Sequence, residues 1–357
     1  MTLIDPADVR AALLRGGVIP AHPLVLTADR RLDAARQRAL TRYYLDAGAR
    51  GLAVGVHTTQ FAIREHGLYA EVLTLAADTA REWDSEPAVL VAGVVGDTGQ
   101  AVGEAAVAAA AGYHAVLVNV AAIADRGAAA MLAHCRRVAE VLPVVGFSLL
   151  PACGGAHLPY DFWRGFCELD RAVAIKLAPF DRYRTVEIVR AVADARAEDR
   201  VALYTGNDDH IVLDLVTGFD VRRDDGATVR VRLRGGLLGQ WSVWTRRAVE
   251  LVAAVEDSWR TGSVPRDLLA LDARLTECNG AVYDAVHDFR GSVAGCLEVL
   301  RRQGFVQAVR VLDPAQQLSP GQVDGITRVL ARHPDLADDD FVAAHLDRWL
   351  ATEPAAV

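Results

Sequence analysis

Lysine is almost missing from this chain. Of 38 lysine and arginine residues in 357, only Lys176 is a lysine. Disulfide patterning is missing too. Cys135, Cys153, Cys167, Cys278 and Cys296 are scattered, odd in number and contain no Cys-x-x-Cys. They read as reduced thiols, which points to a cytoplasmic setting. Long hydrophobic runs are lacking: the longest covers residues 105–112, too short to cross a bilayer. The opening Met1-Thr2-Leu3-Ile4-Asp5-Pro6 has no basic start followed by an apolar run, so no signal peptide is expected. An excess of basic residues is absent as well. A net charge of -8 and a pI near 5.7 argue against nucleic acid as a partner.

What is present suits a large globular core, with 52% hydrophobic and 24% charged residues. A GC-rich coding bias explains most of the arginine excess, and it makes a retained lysine informative. Arginine cannot lose its proton and attack a carbonyl as an amine can. Around Lys176 the sequence alternates with period 2. Val173, Ile175 and Leu177 form one face; Ala174, Lys176 and Ala178 form the other. This predicts a strand, stopped by Pro179, with space around a partly desolvated lysine.

Along the chain, short apolar segments alternate with helical ones. Strands are predicted at 16–21, 51–56, 88–94, 115–118, 143–147, 172–176, 201–204 and 235–238. Helices follow each of them, the last at 242–259. Eight such units predict a (β/α)8 TIM barrel over residues 1–260. A doubly wound sheet fits less well, because no Gly-x-Gly-x-x-Gly follows the first strand. Residues 219–234 interrupt the eighth unit. Asp225-Gly226 signals a type I′ turn, so a β-hairpin insertion with a solvated arginine face is expected before strand eight. Residues 261–357 form a C-terminal helical extension packed on the barrel. Within it Ser319-Pro320-Gly321-Gln322 reads as a capping box with Pro at N1.

In such a barrel the site lies at the C-terminal strand ends. Those ends supply His22, then His57-Thr58-Thr59, Phe147-Ser148, Lys176, Gly206-Asn207-Asp208 with His210, and Gly235-Gly236 with Gly239. His22, His57, Asp208 and His210 form a conceivable metal set, but no His-x-His lies on strand one. The glycines near strand eight either cradle a phosphate or allow close backbone approach. Trp241 and Trp244 read as core or interface.

Four stretches together resemble the dihydrodipicolinate synthase and N-acetylneuraminate lyase family of class I Schiff-base aldolases. They are residues 17–52, Thr58-Thr59, Ala174-Ile175-Lys176 and Thr205-Gly206-Asn207-Asp208. The resemblance implies an imine between Lys176 and a 2-oxo acid such as pyruvate, with Thr58 and Thr59 holding its carboxylate. It also implies that His57, Phe147, Ser148, Gly206, Asn207, Asp208 and Gly236 line the pocket. No cofactor or metal enters this reading, no nucleic acid or membrane is a partner, and a homodimer or homotetramer is expected. The chain departs from the family where a tyrosine usually stands on strand five, because Phe147 occupies that position. Ser148, His57 or water is then expected to replace it. Two other readings stay open: a non-catalytic relative that binds a small carboxylate, and a metal-dependent barrel hydrolase.

Overall fold

A computed structural model describes residues 6–83 and 88–351. Its strands are β1 (Gly17–Pro20), β2 (Gly51–Val54), β3 (Val89–Val94), β4 (Ala115–Val118), β5 (Val144–Leu149), β6 (Ala172–Ala178), β7 (Ala202–Thr205), the pair β8 (Phe219–Arg222) and β9 (Thr228–Val231), and β10 (Leu233–Leu238). Eight of them form one parallel sheet in the order β1-β10-β7-β6-β5-β4-β3-β2. An Ala21–Ala53 bridge and the 2.8 Å bond from His22 N–H to the Ala53 carbonyl bring β1 against β2. The sheet is therefore a nearly closed (β/α)8 barrel, as the alternation predicts.

The helices are α1 (Pro6–Leu14), α2 (Ala34–Ala47), α3 (Tyr69–Trp83), α4 (Thr98–Ala110), α5 (Gly127–Ala139), α6 (Tyr160–Cys167), α7 (Arg182–Asp194), α8 (Ile211–Val216), α9 (Thr245–Thr261), α10 (Arg266–Val282), α11 (Ser292–Arg302), α12 (Gln322–Arg332) and α13 (Asp339–Leu350). None of the described helices is long and apolar enough to cross a membrane. Local signals set their ends. Asp33 accepts from the Arg36 N–H to cap α2, and left-handed Gly48 closes it. Asp181 caps α7 by accepting from Tyr183 and Arg184 N–H.

Period 2 separates two cores. Ile19, Ala53, Val91, Val145, Phe147, Ala174, Tyr204 and Leu237 fill the barrel interior. Val54, Ile175, Leu177 and Leu203 pack outward under the helices. Fully burying one such branched side chain contributes roughly 1.5–3 kcal/mol. Val9 and Leu13 of α1 join the inner core from below, and the Tyr204 hydroxyl donates to the Leu13 carbonyl at 2.8 Å. Helix α1 thus closes the N-terminal end of the barrel. Between β5 and β6 the register slips by one residue, from Val144–Ala172 to Val145–Ala174. That bulge absorbs Val173 and keeps Ala174, Lys176 and Ala178 on the inner side.

Two local expectations need correction. The hairpin stands where expected, but its turn is not type I′. Only Gly226 has positive φ, at 84°, and Gly226 N–H bonds the Arg223 carbonyl. Five residues, from Arg223 to Ala227, make a type I turn followed by a left-handed glycine, which lets Asp225 keep an ordinary φ. Its arginine face is solvated at Arg230, which pairs on the surface with Asp220 at 2.7 and 2.8 Å, whereas Arg232 lies over Trp259. The capping box at Ser319 is half formed. The Gln322 side chain accepts from the Ser319 N–H at 3.0 Å, but the Ser319 hydroxyl turns to Asp284. Gly321, not Ser319, precedes α12.

The C-terminal helices pack on the barrel: α13 on α2, and α10 on α8. Arg42 donates to the Trp349 and Ala351 carbonyls at 2.7 Å. Buried Asp338 accepts from the Tyr43 hydroxyl at 2.7 Å. Asp272 of α10 caps α8 by accepting from Val212 and Leu213 N–H.

Candidate active site

Lys176 sits on the inner side of β6, paired in register with Phe147 on one flank and Tyr204 on the other. Its Nζ lies 4.6 Å from the centroid of the Phe147 ring. Burial lowers its pKa to about 8, against the pull of the Asp208 carboxylate, which favours the ammonium. About a tenth of the amines are then neutral at pH 7. Asp208 is enclosed as well, and burial raises it to about 7. Its Oδ1 accepts from the Gln240 N–H at 2.8 Å. The two groups titrate as a pair.

A cavity of about 30 Å³ adjoins the amine, room for roughly two waters. His57, Thr58, Cys153, Phe180, Gly239 and Tyr283 help to line it. His57 meets the Phe61 ring edge-on, and burial beside Lys176 lowers it to about 4, so its imidazole is neutral at pH 7. Gly206 packs against the lysine stem. A Cβ there would fall 2.8 Å from Lys176 Cε and 2.8 Å from Ala178 Cβ. This glycine is what gives the amine its channel.

Of the residues singled out from the sequence, Lys176, His57, Thr58, Phe147, Gly206 and Asp208 come together. Five others do not take the expected part. Thr59 spends its hydroxyl on the chain itself: it donates to the His22 carbonyl at 2.7 Å and accepts from Gly55 N–H at 3.0 Å. Its own N–H goes to Val56. Ser148 lies in β5 on the outward side, among Trp163, Pro179, Arg184 and Ile188, because β5 runs on to Leu149. Gly236 likewise faces out, where a Cβ would meet Trp241 at 2.5 Å and Leu238 at 2.6 Å. Asn207 is a brace. It accepts from Phe180 N–H and donates to Thr185 and Asp214, and so sets the loop that carries Phe180. His22 is held inside by Thr41 and Gln37.

Tyr283 and Cys153 were not anticipated. Tyr283 ends α10 and enters the mouth across Gly239, where a Cβ would lie 1.4 Å from its hydroxyl oxygen. The glycine is obligatory there, and close backbone approach is the role that Gly239 plays. No periodicity in the sequence ties a tyrosine of the extension to the lysine.

Comparison with known proteins agrees with this fold. A model of the dihydrodipicolinate synthetase family matches residues 15–222. N-acetylneuraminate lyase 2 of Escherichia coli O6:H1 is 21% identical over 321 residues, covering 88% of this chain and 93% of that protein. A prophage protein of the dihydrodipicolinic acid synthase family from E. coli K12, solved in complex with pyruvate, has a TM-score of 0.71 at 20% identity. It covers 89% of this chain and 98% of its own. Dihydrodipicolinate synthase from Oceanobacillus iheyensis reaches a TM-score of 0.72 at 18% identity, with 93% and 100% coverage.

Proposed function

Because this chain belongs to the dihydrodipicolinate synthetase family, whose members are class I lyases and aldolases, we propose that it joins Lys176 to a 2-oxo acid as a Schiff base. The observation that carries this is the single lysine, held inside the barrel mouth with its pKa lowered to about 8. A neutral amine is the form that attacks a ketone, and desolvation supplies it near neutral pH. The pyruvate in the E. coli K12 structure supports a small 2-oxo acid as the bound class.

In this reading Nζ adds to the ketone carbon and the carbonyl oxygen leaves as water. The resulting iminium withdraws electrons from the neighbouring carbon, so a bond there forms or breaks. Thr58 meets the carboxylate. Asp208 balances the positive charge on nitrogen, and Gly206 keeps the amine pointed inward. The reading includes a cytoplasmic protein, in keeping with five scattered cysteines and no Cys-x-x-Cys. It also includes a homodimer or homotetramer, which light scattering checks.

Reductive trapping tests the chemistry. Protein incubated with pyruvate and borohydride gains one adduct, and peptide mapping puts it on Lys176. Absence of an adduct from folded protein, with pyruvate and with other 2-oxo acids, sinks the proposal. The apolar Phe147 ring beside Nζ favours one rival, a relative that binds a small carboxylate without consuming it. Ligand that binds but is never turned over would support that rival.

A further inference from the structure

Forming an iminium is a proton-moving reaction. An ammonium and a ketone give an iminium and one water, so two protons pass from nitrogen to the departing oxygen. Some group in the cavity must hand a proton to that oxygen as the C–N bond forms. Phe147, next to Nζ, has none to give. Ser148 faces away. His57, lowered to about 4, carries no spare proton at pH 7.

We propose that Tyr283, supplied by the C-terminal extension, is the catalytic acid that protonates the departing ketone oxygen, with Thr58 as its hydrogen-bond partner. This rests on the Schiff-base reading above. Three observations carry it. The phenol lines the same small cavity as Nζ, so a ketone seated at the amine also reaches the hydroxyl. Its oxygen faces Thr58 across Gly239, where a Cβ would lie 1.4 Å from the phenol oxygen and 3.3 Å from Thr58 Oγ1. The Cys296 thiol neighbours the same hydroxyl and burial pushes it up to about 12, so it stays neutral.

The third observation is strain. Directly after Tyr283, Asp284, Asp288 and Phe289 all adopt left-handed φ, at 58°, 54° and 62°. Non-glycine residues hold such angles only where surroundings over-determine them. Here they do. Buried Asp284 accepts from Gly291 N–H at 3.1 Å and meets His287 and Ser319. Phe289 packs on Phe180, another cavity residue, at 5.2 Å. The chain pays for this loop and receives a phenol inserted into the barrel mouth.

The bond changes balance. The Nζ lone pair makes the C–N bond while the carbonyl π pair moves to oxygen. Oxygen takes the phenol proton, and Tyr283 recovers one from nitrogen. In a second passage the phenol protonates the hydroxyl, water leaves with the C–O pair and the nitrogen lone pair closes the iminium; the proton that the ammonium first gave up to the Asp208 carboxylate then restores Tyr283. Burial holds the phenol well above its ordinary pKa, so it begins each cycle protonated. Asp208 differs in that its Oδ1 is anchored by the Gln240 N–H and its charge serves the nitrogen.

The test is the rate of adduct formation with pyruvate, with cyanoborohydride raised until the rate no longer depends on it. Tyr283→Phe keeps the ring and removes the hydroxyl. The expected result is a slowing of about a hundredfold or more, with the same final adduct on Lys176 and an unchanged melting temperature. The double variant Phe147→Tyr/Tyr283→Phe then regains part of the rate, which a purely structural role would not allow. A Tyr283→Phe rate within about threefold of the parent overturns the inference and leaves the Schiff-base reading intact. No adduct in the parent overturns both. If Tyr283→Phe does not fold, Tyr283→Met removes the hydroxyl with a flexible apolar side chain instead, and a parental rate in that variant is equally fatal.

Discussion

Gly206→Ala isolates how the amine is aimed. The φ of Gly206 lies outside the left-handed region, so alanine is tolerated by the backbone and only crowding is tested. The added methyl would lie 2.8 Å from Lys176 Cε, 2.8 Å from Ala178 Cβ and 3.0 Å from the Leu177 carbonyl oxygen. Ordinary carbon contacts are about 3.5–4.0 Å, so each neighbour must give by several tenths of an ångström or more. Ala178 and Leu177 belong to β6 and cannot easily move. The Leu177 carbonyl also accepts the Gly206 N–H at 2.5 Å. The lysine stem therefore yields most. Overpacking of this kind costs about 1–3 kcal/mol, a melting-point loss of a few degrees at most, since a chain of 357 residues shifts by only about 1–2 °C per kcal/mol. Displacing a reacting atom by about 1 Å costs on the order of a hundredfold in rate. Calorimetry and the cyanoborohydride trapping rate read the two effects separately. A variant that melts and traps like the parent would refute the claim that Gly206 positions the amine.

Lys176→Met should abolish the adduct yet stabilise the fold. Folding lowers the lysine from 10.5 to about 8, so the folded ammonium is penalised below that range and the penalty disappears as pH rises from 8 to 10.5. The gain is largest near pH 7, is offset in part because Asp208 loses its buried partner, and shrinks toward pH 10, as denaturant melts at both pH values would show. Asp208→Asn removes the charge that favours the ammonium, so the alkaline rise in trapping rate should move to lower pH; a shift upward contradicts the pairing. Ser148→Ala should leave the trapping rate within about twofold, since its hydroxyl is outside the barrel, and a large loss would contradict that placement. Gly226→Ala in the hairpin should cost about 1 kcal/mol through its φ of 84° and leave trapping untouched.

The barrel was legible because burial on both strand faces and the helical spacing between strands leave strong local patterns. Lys176 stood out because it is the single lysine in the chain, and an amine can lose a proton and attack a carbonyl where arginine cannot. The faces of strand ends were harder to read. Predicting β5 to stop at Phe147 made Ser148 look like a rim residue, whereas β5 continues to Leu149 and pleating turns Ser148 outward. Thr58 and Thr59 look equivalent in sequence, but a turn separates them: one hydroxyl meets the cavity and the other ties β1 to β2. Tyr283 was invisible because nothing local marks it. Its role depends on a long-range meeting with Gly239, and glycine near a strand end permits many such meetings.

The floor that α1 makes beneath the barrel decides the order of traffic. With Val9, Leu13 and the Tyr204–Leu13 bond closing the far end, reactants and products share one doorway. On the Schiff-base reading a ketone bound for Nζ goes in first, and any second reactant stacks above it. The last to arrive is the first that can leave. Because water leaves before the second reactant enters, steady-state kinetics should be of the substituted-enzyme type, and excess second reactant should block the doorway and appear as substrate inhibition competitive with the 2-oxo acid.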